Sequence, residues 1–357
     1  MNSRGRTFLA LEHKVGDRIP TDFWATEAVI GRLESELGMP HAQFLDHYDT
    51  DLRYIEGPRY VGPPLEEGAD IWGVKRTTVT AGSAGRAEAY SEVTKPPLSE
   101  AGRIEDIDKY VHWPSPDWFD YEVVEKQCEA ILRRKRVVVF MGDRLNRIAQ
   151  LKPAMYLRGT EEILVDIAAR QEFVRAIFAK IREFYLAYLE RILSAAKGKI
   201  DIVLTGDDFG SQDGLLISPA MWRALIEPGF REYIDLIKSY DTVVMHHTCG
   251  SVVDIIPDMI DCGLDVLQSI QPEASGMSLA NLRAKFGDEL CFHGGISIQK
   301  TMPYASPDDI RREVSRIAEV VRSSGGYIFC TSHNIQADTS VENITALMDA
   351  YREYGGM

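Results

Sequence analysis

Residues 200–250 read IDIVLTGDDFGSQDGLLISPAMWRALIEPGFREYIDLIKSYDTVVMHHTCG, and the reading of this stretch decides the fold. A β-branched run, IDIVLT (200–205), passes through Gly206, Asp207, Asp208, Phe209 and Gly210 into a helical pattern from Pro219 to Ser239. A second apolar run, TVVM (242–245), then ends in His246, His247, Thr248, Cys249 and Gly250. Strand, helix and strand in that order form a βαβ unit, in which the helix carries the chain back so that the two strands lie parallel. Polar residues able to bind ligands follow both strands.

The same rhythm extends outward. Apolar runs recur at Val137 to Met141, Val266 to Ile270, Leu290 to His293 and Tyr327 to Cys330. Helical patterns lie among them at Glu161 to Leu193, Val252 to Cys262, Met277 to Phe286 and Pro307 to Ser323, the last opened by Ser306 with Asp309 three residues on, as in a capping box, and stopped by Gly325. Earlier in the chain, Gly16 to Phe23 supplies one more strand, and Ala28 to Gly38 and His41 to Asp49 read as helices. Residues Ile71 to Val93 read as a β-hairpin turning at AGSAG, between the Pro-rich joints Gly62 to Pro64 and Lys95 to Pro97. Repeated βα units over this length predict an α/β fold: a (β/α)8 TIM barrel with N-terminal helices and an inserted hairpin, residues 1–357 forming a single domain. A doubly wound sheet competes, but no strand runs into the G-x-G-x-x-G loop of a dinucleotide site.

Composition narrows the function. The 357 residues are 45% hydrophobic and 26% charged, enough apolar material for a large core. Forty Lys and Arg against 54 Asp and Glu leave a formal charge of -14, with no basic run to track a phosphate backbone, so nucleic acid is not an expected partner. No run approaches about 18 apolar residues, so no membrane span is expected. The N-terminus lacks a signal-peptide pattern, and the expected location is the cytoplasm. Five cysteines, an odd and sparse set, speak against a disulfide framework.

The mouth of a parallel barrel lies at the C-terminal ends of its strands. His247 and Cys249 sit there two residues apart, so in an extended segment they face the same side, and an imidazole with a thiolate suits zinc. A third ligand is needed. His333, past the last apolar run, is preferred; Cys330 is the alternative, three residues earlier and deeper. His246 should point away. Of the adjacent acids, Asp207 is the expected proton-transfer group, while Asp208 serves as an N-cap or a substrate contact. Gln271 and His293, at other strand ends, are candidate substrate contacts, and Trp24 a candidate apolar wall. The ordinary alternative for each is a packing or capping role.

Together, His247-Thr248-Cys249-Gly250, the Gly206 to Gly210 loop, Asp17-Arg18-Ile19-Pro20, Leu157 to Glu161 and the closing run Gly326 to Ile344 resemble the uroporphyrinogen decarboxylase superfamily over nearly the whole chain. The H-x-C-G segment is similar to the zinc-dependent methyltransferases of that superfamily, which pass a methyl group between a corrinoid protein and an acceptor such as a thiol. The resemblance implies a zinc ion at the barrel mouth, a corrinoid carried by a separate protein, a small-molecule substrate and a homodimer. Two departures stand out. The methyltransferases usually place a Cys where Ser332-His333-Asn334 stands here, so His333 falls on the ligand position with nitrogen in place of sulfur. The decarboxylases carry an arginine-rich segment where this chain has Thr21 to Glu27, with two acids and no arginine, a poor clamp for a many-carboxylate substrate. Methyl transfer is therefore the expected activity, and a metal-assisted lyase or decarboxylase acting on a small carboxylated substrate is the alternative.

Overall fold

The computed structural model describes residues 1–81, 88–142 and 147–356. Seven parallel strands form one sheet in chain order: β1 (Leu52–Ile55), β2 (Val137–Phe140), β3 (Ile202–Gly206), β4 (Val243–His247), β5 (Val266–Ile270), β6 (Cys291–Gly294) and β7 (Tyr327–Ile328). The five crossovers from β2 to β7 carry helices, as the βαβ reading requires. Chain order without a switch point curls such a sheet, and the segment at residues 19–25 bridges its two edges. Phe329 donates its N–H to the Pro20 carbonyl, Asp22 donates to the Phe329 carbonyl, and Asp51 donates to the Thr21 carbonyl. This is the early stave expected at Gly16 to Phe23. It pairs through isolated bridges and is no regular strand.

Alternation along the strands divides the core in two. Val137, Val139, Leu204, Met245, Val266, Cys291 and Ile328 belong to one buried cluster with Trp24 and Cys330. Their neighbours Val138, Phe140, Val203, Val244, Leu267 and Phe292 pack into a larger cluster with the helices. Successive strand residues face opposite sides, so the first cluster fills the concave side of the sheet and the second its convex side.

The helices are more broken than the apolar periodicity predicts. Glu161 to Leu193 is two helices, Thr160–Ala169 and Gln171–Ala196, separated at Arg170. Pro219 to Ser239 likewise divides into Pro219–Leu225 and Glu227–Lys238, with Pro228 in the first turn of the second, where its missing N–H costs nothing. Ser306 and Asp309 do form a capping box, on helix Pro307–Val321. Strand β1, helix Glu122–Arg133 and helix Val341–Tyr354 are elements the sequence reading does not identify. Strands Lys75–Ala81 and Glu88–Lys95 pair antiparallel outside the main sheet; their turn, AGSAG, lies outside the described residues. Among the described residues no helix is long and apolar enough to cross a membrane.

Aspartates lock the N-terminal end of the sheet. Asp51, Asp201 and Asp265 each sit just before a strand and accept the N–H of a residue on the preceding stave: Thr21, Val138 and Val244 respectively. Each also meets a cation, Arg6 and Arg18 for Asp51, Arg4 for Asp201 and Lys238 for Asp265. Asp51 is fully buried and Arg6 nearly so. Removing one partner from such a pair strands the other in a low-dielectric site, so Asp51→Ala is expected to lower stability by about 3–5 kcal/mol. Urea unfolding followed by far-UV circular dichroism reads the effect, and a loss below about 1 kcal/mol would assign the pair no more than the weight of a surface contact.

Candidate metal centre

His247 ends β4 and projects to the concave side, in register with Gln268 on β5 and Gly206 on β3. His246 faces the other way. Its ring stacks on Phe209 at 5.5 Å, and its Nδ1 pairs with the Thr205 hydroxyl at 2.8 Å. Beyond β4 the chain turns sharply, and Gly250 adopts φ of +80°. A Cβ at that position would lie 2.4 Å from the Gly210 carbonyl carbon, so only glycine lets the loop after β4 settle against the loop after β3. That packing brings Cys249 back over His247, with Sγ 3.4 Å from Nε2.

His333 completes a group of three. Ligand atoms of His247, Cys249 and His333 all lie within 4.8 Å of one another. The two imidazole rings meet edge to face at 5.2 Å. Cys330 does not join them; it falls in a second group with Asp22 and His293.

The electrostatics prepare the donors unequally. Burial and the nearby Arg147 guanidinium hold His247 well below the usual histidine range, so the ring is neutral. Its Nδ1 pairs with Gln268 Oε1, an acceptor only, so the ring proton sits on Nδ1 and the Nε2 lone pair faces Cys249. His333 is arranged the opposite way: its Nδ1 accepts the Asn334 N–H at 2.8 Å. Coordination through its Nε2 would require the ring proton to move to Nδ1 at the expense of that bond. Burial, with the Asp208 carboxylate adding to it, pushes the Cys249 thiol up to about 12. Only a strong local positive charge would make it a thiolate at neutral pH.

The adjacent acids occupy different surroundings. The Asp207 carboxylate accepts three backbone N–H groups, from Gln150, Leu151 and Lys152 at 2.6–2.8 Å, and so holds the start of helix Leu151–Arg158. Burial outweighs those donors and raises its pKa to about 6. Asp208 is the carboxylate beside the triad. Its Oδ1 lies 3.7 Å from His247 Nε2 and accepts the Cys249 N–H at 3.1 Å, and its Oδ2 meets Lys152 Nζ at 2.9 Å. Burial would raise this group, but the His247 ring, the Lys152 ammonium and the Cys249 N–H hold it well below the ordinary carboxylate range.

His247 and His333 open on a cavity of about 320 Å³ lined also by Thr26, Arg147, Lys152, Tyr156, Asp207, Asp208 and Asn334. Trp24 backs it. The indole stacks on the His247 ring at 6.0 Å, carries the Arg147 guanidinium over its ring at 5.3 Å, and donates Nε1–H to Tyr54 at 2.8 Å. Gln271 Oε1 accepts the Gly250 N–H at 3.0 Å, bracing the ligand loop. His293 lies among the buried side chains of the concave side, bonded to Asp22. Sequence reading missed Gln268 and Lys152. The alternation of VLQSI places Gln268 on the inner face two residues after Val266, but Lys152 carries no signal at all.

A uroporphyrinogen decarboxylase (URO-D) family profile matches residues 91–354. The chain belongs to the uroporphyrinogen decarboxylase family. Among URO-D relatives, a methylcobamide:CoM methyltransferase, MtaA of Methanosarcina barkeri, is 29% identical over 175 residues, 48% of this chain and 46% of that protein. A uroporphyrinogen decarboxylase of Vibrio campbellii is 33% identical over 78 residues, 22% of this chain and 21% of its own length. The matches thus span less than half of these curated relatives. A solved methyltransferase structure from Methanosarcina mazei superposes with a TM-score of 0.70 at 17% identity, covering 99% of both chains, and establishes the shared fold.

Asp207→Ala would leave three N–H donors, two of them buried, without their acceptor, an expected loss of about 1–3 kcal/mol in urea unfolding. Unchanged stability would show that the carboxylate does not hold the helix start.

Proposed function

We propose that this chain is a zinc-dependent methyltransferase that moves a methyl group between a corrinoid on a separate protein and a small acceptor or donor. The observation that carries this reading is the convergence of His247, Cys249 and His333 at the strand ends. The donor set fits zinc: two imidazoles and a sulfur, with one ring already neutral and oriented by Gln268. Bound there, zinc would supply a Lewis acid able to draw a thiol toward thiolate or to polarise a leaving group. The similarity to MtaA supports a methyltransferase over a decarboxylase.

The chain's own groups have assignable tasks around that centre. Asp207, raised to about 6 and lining the same cavity, is the group suited to exchanging a proton near neutral pH, while Asp208, held ionised beside His247 and the Cys249 N–H, sets the charge around the centre. Trp24 stacks on the His247 ring and so fixes its plane. Gln271 holds the loop that carries Cys249, and Lys152 keeps Asp208 ionised.

One observation favours a second reading. Arg147 and Lys152 line the cavity, and cationic walls suit a small carboxylated substrate, as a metal-assisted lyase or decarboxylase of the same barrel would need. Incubating the zinc-loaded protein with methylcobalamin and a panel of small thiols and amines separates the two. Loss of the methyl–cobalt absorption with a methylated product is the expected result. Carbon dioxide release from a small acid with methylcobalamin untouched would establish the lyase. Zinc affinity by chelator competition should fall about 10- to 100-fold in Gln268→Ala, which removes only the orienting acceptor, and Cys249→Ser should lose methyl transfer outright.

A further inference from the structure

A second group on the concave side of the sheet is untouched by the reading above. Asp22, His293 and Cys330 bring a carboxylate oxygen, an imidazole nitrogen and a sulfur within 4.8 Å of one another, and all three residues are buried. They come from adjoining staves: His293 from β6, Cys330 just past β7, and Asp22 from the bridging segment at 19–25. None belongs to the first triad. Trp24 touches both groups, its ring 6.0 Å from that of His247 and 6.1 Å from that of His293.

Asp22 Oδ2 pairs with His293 Nε2 at 2.9 Å and accepts the Tyr54 hydroxyl at 2.5 Å. His293 Nδ1 is buried and has no hydrogen-bond partner among the described residues. No lysine or arginine forms an ion pair with Asp22 among those residues either; its salt-bridge partner is His293. A carboxylate held 1% exposed is costly without a compensating positive charge. The three donor types are also those a borderline cation selects.

We propose that Asp22, His293 and Cys330 form a second divalent-cation site suited to zinc. Loading releases the Cys330 thiol proton to solvent and moves the His293 ring proton from Nε2, where it is bonded to Asp22, to the unpartnered Nδ1; the dication is then balanced by one thiolate and one carboxylate, leaving a neutral centre compatible with its burial. The Tyr54 hydroxyl, bonded to Asp22, orients the carboxylate as supporting groups do around other metal centres. The ion would tie the bridging segment to β6 and β7, and so hold Trp24 in place behind the first centre.

Metal counting tests this. The full-length protein and its variants are equilibrated with zinc, freed of excess by gel filtration and analysed by mass spectrometry of the metal. Wild type is expected to hold two zinc ions per chain, Cys249→Ser and Cys330→Ser one each, and the double variant none. Cobalt(II)-loaded Cys249→Ser should show thiolate-to-cobalt absorption that Cys330→Ser removes from the double variant. Asp22→Asn keeps the shape of the carboxylate while removing its charge, so it decides the matter where Cys330→Ser fails to fold. A wild type with one zinc, retained by Cys330→Ser and Asp22→Asn and lost from Cys249→Ser, overturns the second site and leaves the first standing. Zinc lost from Cys330→Ser and kept in full by Cys249→Ser overturns the first and supports the second.

Discussion

The hydrogen bond between His247 Nδ1 and Gln268 Oε1 is the constraint on which the site depends. A neutral imidazole carries one proton, and a partner that can only accept fixes it on Nδ1, leaving the lone pair at Nε2. The bond exists because β4 and β5 pair in parallel with His247 opposite Gln268. A slip of one residue would turn His247 toward the helices and bring His246 inward, breaking its stack on Phe209 and its bond to Thr205. Strand register, ring tautomer and the direction of the lone pair are therefore one fact seen at three scales.

The two ends of the sheet use the same residue type for opposite purposes. At the N-terminal end, Asp51, Asp201 and Asp265 reach across to the preceding stave and meet a cation, so their charge is spent on holding neighbours together. At the C-terminal end, Asp208 meets Lys152 and also faces a histidine and a cysteine whose other contacts leave room for a ligand. This division lets the loops around the mouth carry chemistry without supporting the sheet.

Periodicity made the strands legible wherever an unbroken apolar run marked them. Val266–Ile270 matches its sequence boundaries because VLQSI is flanked by polar residues on both sides. Leu52–Ile55 escaped because LRYI carries an arginine and a tyrosine, each held by tertiary contacts: Arg53 by backbone carbonyls and Asp46, and Tyr54 by Asp22 and Trp24. The helix breaks at Arg170 and Ile226 went unread because apolar spacing continues across both. In the site, the two-residue spacing pointed to His247 and Cys249 together, although it is the turn at Gly250, and not strand alternation, that brings them into contact. The gathering of His333 with them, and of Cys330 with Asp22 and His293, depends on how far each strand runs before its loop begins, which no local pattern encodes.

Asp207 and Asp208 show where that limit lies. Side by side and chemically identical, they are divided by the backbone alone: extended geometry sends one carboxylate beneath the first turn of helix Leu151–Arg158 and the other toward the mouth. No pattern near Asp207 announces its partners, because the helix start at Gln150 to Lys152 lies 55 to 57 residues nearer the N-terminus, and three N–H donors converge from there on one carboxylate. Its neighbour instead meets the Lys152 ammonium and the Cys249 N–H. Lys152 does both jobs at once, giving its backbone N–H to Asp207 and its ammonium to Asp208, so the residue that fixes the helix also sets the charge of the site.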